Sequence, residues 1–66
     1  MQVFANGRPV DMNEGATVAD VLRSLGLAGR VVVVERNGEP LDRADMPSTT
    51  VHEGDRLEIV RAVAGG

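Results

Sequence analysis

Apolar and polar residues alternate through Met1-Gln2-Val3-Phe4-Ala5, which puts Met1, Val3 and Ala5 on one face and Gln2 and Phe4 on the other. This is the two-residue period of a half-buried strand. Asn6-Gly7 predicts a tight hairpin turn, because the two central residues of such a turn take positive φ. The chain then returns as a second strand through about Met12, with Val10 and Met12 inward. Pro9 has no N–H to donate to a ladder, so this strand is expected at a sheet edge.

After a loop at Asn13-Glu14-Gly15-Ala16 the period changes: Val18, Val21, Leu22 and Leu25 fall at i, i+3, i+4 and i+7, one apolar stripe of a helix. Thr17, with Asp20 three residues on, forms a capping-box variant at its start, and Gly26 stands where a left-handed terminator belongs. An amphipathic stripe can also mark a membrane-surface helix. Here only Arg23 and acidic or neutral neighbours lie opposite it, so the stripe is assigned to the core.

Val31-Val32-Val33-Val34 is β-branched and apolar on both faces, which suits a central strand covered by the helix on one side and less covered on the other. Asn37-Gly38 is a second turn signal, followed by a short strand at Glu39-Pro40-Leu41. Residues 43–50 have no period, although Asp42 and Asp45 are placed to cap a single helical turn. Glu53-Gly54-Asp55 makes the last turn, after which Leu57 and Ile59 point inward while Glu58 and Val60 point out. The order strand, strand, helix, strand, short strand, strand predicts an α+β domain: a mixed sheet of four or five strands with one helix across it.

With 66 residues the chain has room for one domain, 1–66, and buries only about 60% of its unfolded surface, which leaves little space for a catalytic cleft. The absence of cysteine excludes a disulfide, a thiolate metal site and a cysteine nucleophile. His52 stands alone among turn residues and is assigned to the surface, so no metal site is expected. All seven basic residues are arginines spread along the sequence, the net charge is −3 and Phe4 is the single aromatic. With neither a basic stripe nor a stacking platform, nucleic acid is not an expected partner. No apolar run approaches the ~18 residues of a membrane span and no signal peptide opens the chain, so no membrane partner and a cytoplasmic location are expected.

The last six residues, Arg61-Ala62-Val63-Ala64-Gly65-Gly66, follow the final strand as though the sheet launched them. Residues 62–66 are expected to form a flexible tail, and five extended residues reach about 16 Å. A glycine pair enters slots too narrow for a side chain and presents a carboxylate that is ionised at neutral pH. That carboxylate is a poor nucleophile until an enzyme positions it against an activated phosphate. The plain alternative is a frayed terminus.

Together, the Met1-Gln2-Val3 opening, Asn37-Gly38 after the valines, Gly54-Asp55 before the last strand and the Ala62-Val63-Ala64-Gly65-Gly66 ending resemble the ThiS/MoaD-like family of small β-grasp sulfur carriers, nearest its thiamine thiazole branch. The resemblance spans essentially all 66 residues. It implies a β-grasp (ubiquitin-like) fold with the first and last strands parallel in the middle of the sheet. It also implies a carrier rather than an enzyme, with no catalytic residue and no stably bound cofactor of its own.

In that family a partner adenylyltransferase uses ATP and magnesium to adenylate the terminal glycine, here Gly66. A cysteine desulfurase or other persulfide source supplies sulfur, and the resulting thiocarboxylate serves thiazole synthase. By the same resemblance Gly65, Ala64, Val63 and Arg61 are the tail-recognition residues, with Arg61 meeting acidic groups at the slot's mouth. Phe4 and Val60, outward on adjacent central strands, are the expected docking residues, with an outward valine of the third strand a further candidate. Family members often carry a bulkier aromatic near Met46. The alternatives are the small subunit of molybdopterin synthase, a ubiquitin-like protein modifier and an adaptor without covalent chemistry.

Overall fold

The two Asn-Gly dipeptides set up the sheet locally. The computed structural model describes residues 1–62. Strands β1 (Gln2–Ala5) and β2 (Arg8–Asp11) pair antiparallel with Ala5 opposite Arg8, and the intervening Asn6 and Gly7 have φ of 51° and 83°. Strands β3 (Val32–Arg36) and β4 (Glu39–Leu41) repeat the device, with Asn37 at 52° and Gly38 at 85°. Positive φ at both central residues gives the turn a twist that matches the strands it joins. Backbone bonds extend the first hairpin by one pair, the Met12 N–H donating to Met1 O at 2.8 Å and the Met1 amino group to Met12 O at 2.9 Å.

Helix α1 (Val18–Ser24) opens on a complete capping box. Asp20 N–H donates to Thr17 Oγ1 at 3.2 Å, and Thr17 N–H donates back to Asp20 Oδ2 at 2.9 Å. That backbone bond, aided by the one from Arg23, holds the Asp20 carboxyl below its ordinary value. At the other end the Leu27 N–H donates to Leu22 O at 2.8 Å and the Gly26 N–H to Arg23 O at 3.1 Å, with Gly26 at φ 75°. This is a Schellman ending, and the left-handed residue it requires is the glycine.

The helix therefore stops one residue before the predicted stripe does. Leu25, expected inside, is the C-cap and is 39% exposed, because it has left the helical path; Leu27, brought back by the Schellman bonds, packs against the core in its stead.

Residues 43–50 contain one 3-10 turn, Arg43–Asp45. Asp42 sits at its N-cap without making a side-chain cap bond, and Asp45 acts through its carbonyl, which accepts from the Ser48 and Thr49 hydroxyls. The Met46 side chain is buried in the core, while its carbonyl accepts from Ala19 N–H at 3.1 Å and ties this segment to the helix. Methionine fills such an irregular gap readily, being unbranched with several rotatable bonds.

Strand β5 (Arg56–Arg61) inserts between the two hairpins, giving the order β2-β1-β5-β3-β4, parallel to β1 and antiparallel to β3. This is the β-grasp arrangement. The proline-bearing strands β2 and β4 are the two edges, where a missing N–H costs no ladder bond. Val3 and Ala5 of β1, Val32 and Val34 of β3, and Leu57 and Ile59 of β5 face Val18, Val21 and Leu22 of the helix in one buried cluster.

Candidate functional site

Strand β5 ends at Arg61, and three features define that end of the sheet. Strand β3 accompanies β5 along its length, from Arg36 opposite Leu57 to Val32 opposite Arg61. The pairing runs one residue further, with Ala62 N–H donating to Val31 O at 3.0 Å. The 62–66 stretch read as a tail thus begins, at Ala62, with a residue still in the ladder.

On the other side β1 ends at Ala5, opposite Leu57. Beyond it the Asn6 side chain stands in for a strand, its Oδ1 accepting from Ile59 N–H at 2.7 Å and its Nδ2 donating to Ile59 O at 3.0 Å. Backbone groups alternate sides along a strand, so the Arg61 N–H and C=O face this same side, where β1 has ended.

On the outer face, away from the helix, Val33 and Val60 are directly opposed and are 59% and 63% exposed; Val31 beside them is 58% exposed. Single exposed apolar residues are ordinary, but adjacent β-branched ones at the end of β5 make a contiguous apolar patch.

The docking residues named from the sequence share that face without forming one cluster. Phe4 is opposite Arg56, four residues before Val60, hence about 13 Å from it along the strand, with Arg56 and Glu58 on the same face between them. Phe4 is half-buried, whereas Val60 is brought together with Val33. Arg61 is exposed and points to the opposite face from Val60; it borders a groove with Leu25, Leu27 and Ile59. Val63, Ala64, Gly65 and Gly66, which carry the tail chemistry in the sequence reading, lie outside the described residues.

The start of β5 is fixed by a buried carboxylate that periodicity did not single out. Asp55 accepts from Arg36 Nε at 3.2 Å, Asn37 Nδ2 at 3.1 Å and His52 N–H at 2.9 Å. Burial pushes its carboxyl up, but the Asn37 and His52 bonds, with the Arg36 charge, outweigh this and leave it below the ordinary value. Asn37 Oδ1 also accepts from Arg56 N–H at 2.9 Å. Both turn asparagines thus grip β5, one from each flank. Their Asn-Gly pairing was a visible signal for the turns, but not for this second use.

Among the described residues no group of three or more His, Asp or Glu side chains could hold a metal ion, and no helix is long and apolar enough to cross a membrane. His52 is exposed, 4.0 Å from Asp55.

Comparison with known proteins matches this fold along its whole length. The family model described as "ThiS family" matches residues 1–66. A protein named sulfur carrier protein ThiS from Thermus thermophilus is 33% identical over 64 residues, 97% of this chain and 98% of that one. The crystal structure of a thiamine biosynthesis protein (ThiS) from Geobacter metallireducens superposes with a TM-score of 0.80 at 39% identity, covering 100% of both chains. A thiazole synthase from Paramagnetospirillum magneticum is 36% identical over 66 residues, all of this chain but 20% of that protein, so the chain spans about a fifth of that relative's length. Matched from residue 1 to residue 66 by the family model, the chain belongs to the ThiS family.

Proposed function

We propose that the protein is a sulfur carrier in the formation of the thiazole moiety of thiamine. The observation that carries this reading is the likeness, over nearly the full length of both chains, to a sulfur carrier protein ThiS. The reacting atom is the carboxylate carbon of Gly66. A partner adenylyltransferase, using ATP and magnesium, lets that carboxylate displace pyrophosphate and become an acyl adenylate. The terminal sulfur of a cysteine-derived persulfide then attacks the acyl carbon and expels AMP, and a thiol cleaves the resulting disulfide to free a thiocarboxylate. Transfer of that sulfur, at the sulfide level, to the substrate held by thiazole synthase, with an oxygen from water or from the substrate's carbonyl taking its place on the acyl carbon, regenerates the carboxylate.

The chain's own part is presentation. Strand β5, held by β3 on one flank and by β1 and then Asn6 on the other, gives the end of the sheet a fixed direction. Val31, Val33 and Val60 offer the adenylyltransferase an apolar surface beside it, with Phe4 a separate contact further along. Arg61, its peptide facing the flank where β1 has ended, marks the mouth of the slot that Val63, Ala64 and Gly65 thread. A protein named thiazole synthase that carries, over a fifth of its length, a segment similar to the whole of this chain supports that enzyme as the recipient.

Complementation tests the pathway. A bacterial strain deleted for its own ThiS and grown without thiamine should recover with this chain and not with a version lacking Gly65 and Gly66. Recovery of a molybdenum-cofactor mutant in place of the thiamine mutant would assign the chain to molybdopterin synthase. Gly66-dependent protein adducts on denaturing gels, with no recovery of either, would make it a modifier.

A further inference from the structure

On the helix side of the sheet, away from the valine patch, a cleft of about 250 Å³ opens between α1, residues 27–30 and the segment around the 3-10 turn. Its floor consists of the otherwise buried Leu22, Val32 and Met46, and its rim carries Arg23, Arg30 and Arg43. Both walls are tied by backbone bonds, Arg30 N–H to Leu27 O at 3.0 Å on one side and Ala19 N–H to Met46 O at 3.1 Å on the other.

The charge here runs against that of the molecule. The chain has ten acidic residues against seven arginines, yet three of those arginines border this cleft and none of its lining residues is acidic. Arg23 is engaged by Asp20 at 2.8 Å, whereas no carboxylate lies within ion-pair distance of Arg30 or Arg43 among the described residues.

We infer that this cleft is a docking site for an acidic protein segment carrying one apolar anchor side chain. The volume is below the ~300 Å³ at which pockets for drug-sized ligands begin, and it leaves room for one apolar anchor side chain rather than a drug-sized ligand. The apolar floor rewards burial of that anchor, and the Arg30 and Arg43 guanidiniums, without a carboxylate partner among the described residues, reward carboxylates flanking it. Because Val31, Val33 and Val60 lie on the other face of the sheet, such a segment binds without competing for that valine surface. The inference does not depend on the sulfur-carrier reading.

The test is an amide-shift titration of the isotope-labelled full chain with the capped peptide Asp-Asp-Leu-Glu-Asp. Expected are saturable shifts at Leu27, Gly29, Arg43 and Met46, weakened by added salt and weakened about tenfold or more in the Arg30→Glu, Arg43→Glu double variant. Both arginines are exposed, so the variant's dispersed spectrum verifies its fold, and an Arg30→Lys, Arg43→Lys variant should retain most of the binding. No shifts at several millimolar peptide would overturn the proposal. So would equal shifts with Asp-Asp-Gly-Glu-Asp or with inorganic phosphate, since either would mean that charge alone is recognised.

Discussion

Asn6 and Ile59, 53 residues apart, are joined by two hydrogen bonds between the Asn6 side-chain amide and the Ile59 backbone, at 2.7 and 3.0 Å. A turn residue therefore completes the ladder beside the last strand, β5. Replacing Asn6 by glycine keeps the positive φ and removes both bonds, leaving part-buried Ile59 polar groups without partners. The expected loss is about 1–3 kcal/mol. Asn6→Ala adds the left-handed penalty of about 1–2 kcal/mol. Chemical denaturation of the two variants measures both, and equal stabilities for Asn6→Gly and the natural chain would refute the clamp.

Leu57 sits under that clamp, 1% exposed at the centre of the buried cluster. Truncating a buried leucine to alanine costs about 2–5 kcal/mol, and a domain of this size has only about 3–10 kcal/mol in all. Leu57→Ala should therefore remove a large fraction of the chain's stability, lowering its denaturation midpoint sharply. A midpoint shift equivalent to under about 1 kcal/mol would mean that the core is less tightly filled than described.

Asp55 makes stability depend on pH in a definite direction. Its native carboxyl releases a proton more readily than the unfolded one, so ionisation favours the folded state. That contribution is complete above the unfolded value of about 3.9 and fades as pH falls through the lower native value. Unfolding measured from neutral pH downward should show a decline below about pH 4 that is shallower in Asp55→Asn; parallel curves would contradict it. Asp20 has the same sign and persists in the variant, so the difference between curves isolates Asp55.

The opposed pair Val33 and Val60 separates docking from folding. Val60→Asp at this exposed position should change stability by about 1 kcal/mol or less, yet raise the KM for adenylation about tenfold or more. Phe4→Ala, about 13 Å away along the strand, should have its own smaller effect, additive with that of Val60. An unchanged KM in Val60→Asp would remove the valine patch from the docking surface.

Features decided within a few residues are legible in the sequence: the two Asn-Gly turns, the Thr17–Asp20 capping box, Gly26 at the helix end and the inward Leu57 and Ile59. The parallel pairing of β1 with β5 came from the β-grasp resemblance, because alternation within a strand says nothing of its neighbour. The stripe puts Leu25 inside because periodicity does not announce the residue at which Schellman bonds end a helix. Asn6 reaching Ile59, and Asp55 gathering Arg36, Asn37 and His52, depend on contacts between distant segments that no local pattern encodes. The same holds for Arg23, Arg30 and Arg43, three separated arginines that only the fold brings to one cleft.

The central claim concerns Gly66, and weighing the intact chain tests it most directly. After incubation with a thiamine-pathway adenylyltransferase, ATP, magnesium, cysteine and a cysteine desulfurase, the account predicts a mass gain equal to one oxygen replaced by sulfur. That gain should be absent without ATP and absent in the chain lacking Gly66. An unchanged mass, while a ThiS carrier of demonstrated activity in the same reaction acquires sulfur, would contradict it.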